Sequence, residues 1–127
     1  MELSQKQLET KEKIIKIANA LGIDPLWPLG IAMTESSLGE RQKSPTGCSG
    51  VFQMSLIAMK DLLQEMPKQD DDLIDIACGI LFLRNLLKRF GSIKEATDHF
   101  CDPKDRGFYY DRVEDYMKEF KEDITNG

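Results

Sequence analysis

Residues 24–36 read DPLWPLGIAMTES, from Asp24 to Ser36. An aspartate side chain can cap a helix, and proline fits the first helical turn because the N–H groups there have no partner within the helix. The residues that follow are apolar on several sides rather than along one stripe, which is typical of a helix surrounded by other elements. The sequence therefore predicts a buried central helix, the second in the chain.

Caps and hydrophobic spacing predict further helices around it. Ser4 and Gln7 form a capping box for the first helix, which should end at Gly22. The other predicted helices run from about Val51 to Glu65, from Asp70 to Phe90, from Ser92 toward Cys101, and from Tyr109 through Phe120. Because no strand pattern of convincing length occurs, we expect an all-α single domain over residues 1–127, with about six helices packed around the second.

Composition narrows the class of protein. The chain has 127 residues, of which 41% are hydrophobic and 31% charged, as in ordinary soluble globular domains. Its net charge of -5 repels polyanions, so nucleic acid is not an expected partner. No apolar stretch approaches the roughly 18 residues that a membrane-spanning helix needs. The N-terminus lacks the basic and apolar regions of a signal peptide, so we expect synthesis in the cytoplasm.

The cysteines Cys48, Cys78 and Cys101 are odd in number and widely spaced, which does not describe a disulfide framework. Together with His99 they could make a zinc site, but no close pair of cysteines exists to nucleate one. We expect free thiols that serve as small buried hydrophobes. No metal or cofactor is predicted.

Glu35 is the first candidate for chemistry, because this carboxyl group follows the apolar run from Leu29 to Thr34. Burial disfavours the charged form of a carboxyl group and raises its pKa, as catalytic acids require. The alternative is a glutamate at the surface edge, hydrogen-bonded to a neighbouring loop. Its position alone does not decide between these two interpretations.

The loop that follows carries a second pattern, with Ser44, Gly47, Gly50 and Gln53 at intervals of three. Glycines let the backbone approach a neighbour or ligand closely, and the amide of Gln53 can both donate and accept hydrogen bonds. Taken alone, this pattern would fit a structural turn with a polar cap.

Together, Glu35-Ser36 and the Ser, Gly, Gly, Gln series resemble the motifs of soluble lytic transglycosylases and goose-type lysozymes. Weaker likenesses are Ile23 to Leu26, Asp75 to Gly79, Leu81 to Arg84, and Tyr110 to Val113. The resemblance implies a lysozyme-like fold with a cleft beside the central helix. It also implies cleavage of the β-1,4 bond between N-acetylmuramic acid and N-acetylglucosamine in peptidoglycan glycan strands.

In this family the catalytic glutamate acts first as acid and then as base, and the muramic acid 6-hydroxyl closes a 1,6-anhydro ring. The resemblance makes Glu35 the catalytic residue and needs no second carboxylate. A hydrolytic lysozyme would need one to hold water, and Asp61, Asp98 and Asp102 are candidates. The expected substrate-binding residues are Ser36, Ser44, Ser49, Gln53, Phe52, Met54, His99, Phe100 and Tyr110.

One segment departs from the family pattern. The family has Ala-Tyr-Asn where this chain has His99-Phe100-Cys101, so Phe100 keeps the ring but lacks the hydroxyl that lies near the catalytic glutamate. Four outcomes stay open: Tyr109 supplies the hydroxyl, Tyr110 supplies it, His99 replaces it, or activity is weak.

Two competing functions remain. Cys48 and His99 could form the nucleophile and base of a cysteine peptidase or amidase, although nothing nearby in the sequence indicates that they meet. Alternatively, the chain is a degenerate lysozyme-like module that binds glycan strands or forms part of a larger particle. If it is a wall-cleaving enzyme without a signal peptide, we expect delivery by a bacteriophage, in the particle or at lysis, or by a secretion apparatus.

Overall fold

The computed structural model describes residues 1–40, 51–52 and 71–126. Within these ranges the chain is helical and contains no strand, which confirms the all-α prediction. The α-helices are α1 (Gln5–Ala20), α2 (Leu26–Ser36), α3 (Asp71–Phe90), α4 (Ile93–Phe100) and α5 (Phe108–Asn126), with a 3-10 helix at Pro103–Asp105. The helix predicted from Val51 to Glu65 lies outside these ranges except for its first two residues, so the six-helix lysozyme-like arrangement stays a prediction.

Local hydrogen bonds lie at the starts of two helices, close to the positions that the sequence indicated. The hydroxyl of Ser4 accepts from the Gln7 N–H at 3.2 Å, and the Gln7 side chain accepts from the Ser4 N–H at 2.9 Å, which confirms the capping box. Asp24 accepts from the N–H of Leu26 at 3.0 Å, but the N-cap residue of α2 is Pro25, one position later than the sequence predicts. Each hydrogen bond satisfies an N–H group that the helix cannot pair by itself.

Helix α2 is buried, as its apolar composition predicted. Trp27, Leu29, Ile31 and Ala32 are fully shielded from solvent. The indole N–H of Trp27 donates to the hydroxyl of Thr97 at 2.9 Å, so the one polar atom of this large side chain has a partner in α4. Because Trp27 is buried and its N–H has a partner, this side chain holds the start of α2 in the core.

Helices α2 and α5 pack extensively, in antiparallel directions, and their backbones approach closely at Gly30. A Cβ atom at this position would lie 2.8 Å from the carbonyl oxygen of Val113 and 3.0 Å from Met117. Any larger residue at position 30 would push the two helices apart. A glycine is therefore required here by the packing rather than by backbone conformation.

Helix α3 covers the other side of the core with Ile76, Ile80 and Leu83, which recur at helical spacing. Its Gly79 lies against the ring of Phe52, and a Cβ atom there would overlap that ring. The thiols of Cys78 and Cys101 are free and buried, in agreement with their expected role as small hydrophobes. Among the helices described, none is long and apolar enough to cross a membrane.

Candidate active site

The end of α2 is held by a tight left-handed turn. Ser37, Leu38 and Gly39 have φ angles of 50°, 57° and 92°, a region that costs about 1 to 3 kcal/mol for a residue other than glycine. Three hydrogen bonds offset that cost. The Ser36 hydroxyl donates to the Val51 carbonyl at 2.6 Å and accepts from the Gly39 N–H at 3.0 Å, while the Gln7 amide donates to the Ser37 carbonyl at 3.0 Å.

Glu35 lies on the other side of this helix end, toward α5. It is half-buried, and the hydroxyl of Tyr109 donates to its Oε1 atom at 2.6 Å. Tyr109 is the second residue of α5 and its ring packs against Phe100, with 6.3 Å between ring centroids. The contact between α2 and α5 thus brings together two residues that are 74 positions apart in the sequence.

The surroundings of Glu35 favour its protonated form. Burial is the main cause and raises the pKa of the Glu35 carboxyl group, and the negative charge of Asp105 raises it further. The hydrogen bond from Tyr109 acts in the opposite direction, because it stabilises the carboxylate. Burial and the neighbouring Glu35 raise the pKa of Tyr109, so the phenol keeps its proton and remains a donor.

Glu35 opens into a cavity of about 330 Å³, which lies within the size range of small-ligand sites. The cavity is lined by Thr34, Glu35, Asp105, Phe108, Tyr109 and Arg112. These residues come from the end of α2, the 3-10 helix and the first turns of α5. A carboxyl group with a raised pKa and a fixed hydrogen-bond partner therefore faces open space large enough for a ligand.

Two residues predicted to bind sugar face the protein interior instead. Ser36 is fully buried and its hydroxyl is engaged by the backbone at Val51 and Gly39. Phe52 is 1% exposed and fills the space beside Gly79. Neither side chain lines the cavity, and both contribute to the fold, so their contact with sugar stays a prediction.

Three other predicted contacts also lie away from the cavity lining. His99 is exposed and stacks on Phe90 with 3.8 Å between ring centroids, and Tyr110 lies beneath the Lys94 ammonium at 5.7 Å. Phe100 is half-buried and supports the Tyr109 ring. Of the open alternatives for the missing hydroxyl, the structure brings Tyr109 to Glu35 and leaves His99 and Tyr110 elsewhere.

Several predictions fall on residues outside the described part of the chain. These are Ser44, Cys48, Ser49, Gln53, Met54 and Asp61. Of the other carboxylates considered for a hydrolase, Asp98 pairs with Lys94 at 3.2 Å and Asp102 caps the Lys104 N–H at 3.1 Å. Neither lines the cavity.

The sequence did not predict four of the residues that do line it, namely Thr34, Asp105, Phe108 and Arg112. Phe108 and Arg112 are four positions apart on one helix, a spacing that could have placed them on one face. Nothing in the sequence marks Asp105, because its position depends on how the 3-10 helix meets α2.

Within residues 1–40, 51–52 and 71–126, no group of three histidine, cysteine, aspartate or glutamate side chains is arranged to hold a metal ion. Comparisons of the chain with protein-family models, with curated proteins and with solved structures found no match.

Proposed function

We propose that this chain cleaves the β-1,4 glycosidic bond between N-acetylmuramic acid and N-acetylglucosamine in peptidoglycan, with Glu35 as the catalytic acid. The observation that supports this most directly is the half-buried Glu35 carboxyl group, which faces a cavity and accepts a hydrogen bond from Tyr109. Cleavage of a glycosidic bond needs a proton on the leaving oxygen. Burial raises the pKa of the Glu35 carboxyl group and so favours the protonated form that can supply it.

The proposed reaction is that of a lytic transglycosylase. Glu35 gives its proton to the bridging oxygen as the bond from that oxygen to the anomeric carbon of muramic acid breaks. The resulting carboxylate then takes the proton of the muramic acid 6-hydroxyl, whose oxygen bonds to the anomeric carbon and closes the 1,6-anhydro ring. The proton returns to Glu35, so neither water nor a second carboxylate takes part.

Tyr109 positions the acid in this scheme. Because its hydroxyl donates to Oε1 of Glu35, the proton of the neutral carboxyl group is best carried on Oε2. When Glu35 becomes a carboxylate, the same hydrogen bond stabilises the charge. One donor thus orients the acid form and stabilises the base form.

A second candidate is hydrolysis of the same bond, and the position of Asp105 favours it. Asp105 lines the cavity with Glu35, and its negative charge contributes to the raised pKa of Glu35. In an inverting glycosidase a second carboxylate holds the attacking water, at roughly 6.5 to 9.5 Å from the acid. Asp105 is the described carboxylate best placed for that role.

The test is digestion of purified peptidoglycan by the wild-type protein and by Glu35→Gln. We expect the substitution to reduce release of muropeptides at least about a hundredfold, the lower end of what a positioned acid contributes. Glu12→Gln, the same substitution at an exposed site on α1, should retain activity. Near-normal digestion by Glu35→Gln would contradict the assignment of the acid.

Mass spectrometry of the released muropeptides separates the two reactions. Anhydro ends are expected if transglycosylation occurs, and reducing ends if water attacks. Asp105→Asn should abolish reducing ends if Asp105 holds the water, whereas anhydro ends should persist in this variant. A wild-type protein that releases neither product would leave the glycan-binding module as the better hypothesis.

A further inference from the structure

An aromatic ring stands exposed at the edge of the Glu35 cavity. Phe108 is 82% exposed, whereas the next most exposed large hydrophobic residue that the structure describes, Ile124, is 48% exposed. Phe108 is the first residue of α5 and lines the cavity. Exposed apolar rings of this kind offer a flat surface to the C–H face of a ligand.

A positive charge lies on the same face of the helix. Arg112 follows Phe108 by four positions, so the two side chains are neighbours on the helix surface, and both line the cavity. Arg112 is exposed and has no ion-pair partner among the residues described. In a chain with a net charge of -5, an unneutralised guanidinium group beside the cavity attracts a ligand that carries a carboxylate.

We propose that Phe108 and Arg112 form a subsite for one muramic acid residue, whose ring packs on Phe108 and whose lactyl carboxylate pairs with Arg112. The inference rests on the proposed function, because it places a sugar of the glycan strand beside Glu35. Of the two alternating sugars, muramic acid alone carries a lactyl group. That group ends in a carboxylate where the stem peptide has been removed and in an amide where the peptide remains attached.

The subsite therefore selects between two forms of the same strand. A guanidinium group gains a charge-assisted pair with a free carboxylate and gains much less from a neutral amide. Asp105, on the same cavity, repels a carboxylate and directs it toward Arg112. The chain thus binds glycan strands without stem peptides more tightly than strands that carry them, and both remain substrates.

Binding can be measured without cleavage on the Glu35→Gln protein, by titration calorimetry. Two probes are used: peptide-free glycan oligomers with lactyl carboxylates, and the same oligomers with every lactyl group converted to its methylamide. We expect the methylamide form to bind about three- to tenfold more weakly, as for one partly exposed charged pair. Adding Arg112→Gln should remove that difference, and adding Arg112→Lys should restore part of it.

Phe108→Ala, also made in the Glu35→Gln protein, should lower the affinity for both probes by a similar factor. The reason is that the contact with the ring does not depend on the lactyl charge. The matched controls are Lys121→Gln, which makes the same charge change on an exposed part of α5, and Leu8→Ala, which truncates an exposed hydrophobic residue on α1. Both controls should leave the two affinities unchanged. Thermal unfolding of each variant checks that the fold is retained.

The outcomes separate this inference from the proposed function. If the protein with Glu35 cleaves peptidoglycan but the two probes bind equally, the subsite is wrong and the function stands. If the carboxylate probe binds better through Arg112 but no cleavage occurs, the subsite stands and the enzymatic proposal fails. If neither probe binds and no cleavage occurs, both are overturned.

Discussion

Glu35 and Ser36 are adjacent in the sequence, yet the two faces of the helix end that carry them differ in almost every physical respect. On the Ser36 face, the hydroxyl group is fully buried and both donates to and accepts from backbone groups. On the Glu35 face, a titratable group is half-buried, has one side-chain partner and faces a cavity. One face uses its polar group to hold the chain, and the other keeps its polar group available.

The difference shows how burial of a polar side chain can be interpreted. A buried group whose hydrogen bonds are all made within the protein contributes to stability and has no capacity left for a ligand. Partial burial of an acid beside a cavity raises its pKa and favours the protonated form, as a proton donor requires.

The largest effect is expected on the Ser36 face. Ser36→Ala leaves the Val51 carbonyl and the Gly39 N–H without their partner, at a cost of about 2 to 4 kcal/mol in the free energy of unfolding. Urea denaturation measures this cost. Ser92→Ala removes an exposed helix cap and should cost only about 1 kcal/mol. Equal losses in the two variants would contradict the structural role of Ser36.

Tyr109→Phe tests the Glu35 face. Removing the hydroxyl should lower kcat about tenfold, or about 1.4 kcal/mol, close to the contribution of a hydrogen bond to a charged group. The pKa of Glu35 should rise further, because the carboxylate loses its donor, so the basic limb of the pH-rate profile moves to higher pH. Tyr116→Phe, on the same helix and outside the cavity lining, should change neither quantity. A variant with normal kcat would show that Tyr109 does not position the acid.

Asp105→Asn should have a smaller effect on the same profile. Removing this negative charge lowers the pKa of Glu35, so the basic limb moves to lower pH. Asp111→Asn makes the same charge change on α5 away from the cavity lining and should leave the profile in place. A shift in the opposite direction for Asp105→Asn would mean that its carboxylate does not act on Glu35 through charge.

The smallest effect concerns the pH dependence of stability. The pKa of Glu35 is raised in the folded protein, so its contribution to stability is complete below the unfolded value, about 4.3, and is lost as pH rises through the folded value. Glu35→Gln cannot ionise and keeps an acceptor for Tyr109. Its Tm relative to wild type should therefore rise with pH and then level off. If Glu12→Gln follows the same course, the effect does not come from burial.

Much of the helical framework could be predicted because its causes are local. The capping box at Ser4 and Gln7 and the hydrogen bond from the Leu26 N–H to Asp24 depend on residues within three positions of each other. The burial of α2 follows from its apolar composition. Such features need no knowledge of which other helix lies nearby.

The site was predictable only in part, because its causes are distant in the sequence. The apolar run before Glu35 marks it in the sequence, but Tyr109 is only one of four open alternatives there, and nothing in the sequence marks Asp105. Ser36 fitted a sugar-binding motif by residue type, yet the left-handed turn after α2 uses its hydroxyl. Which side of a helix end faces a cavity is decided by the packing of α2 on α5, and a single sequence does not reveal that packing.

Gly30 contributes no side-chain atom, but it controls a distance elsewhere. It lies against Val113 of α5, roughly 7.5 Å along α2 from Glu35, and Val113 lies roughly 6 Å along α5 from Tyr109. A methyl group at position 30 would increase the distance between α2 and α5. The distance from the Tyr109 hydroxyl oxygen to the Glu35 carboxyl group would then increase as well. Gly30, the smallest residue of the central helix, thus sets the distance between Tyr109 and Glu35, whose hydrogen bond positions the proposed catalytic acid.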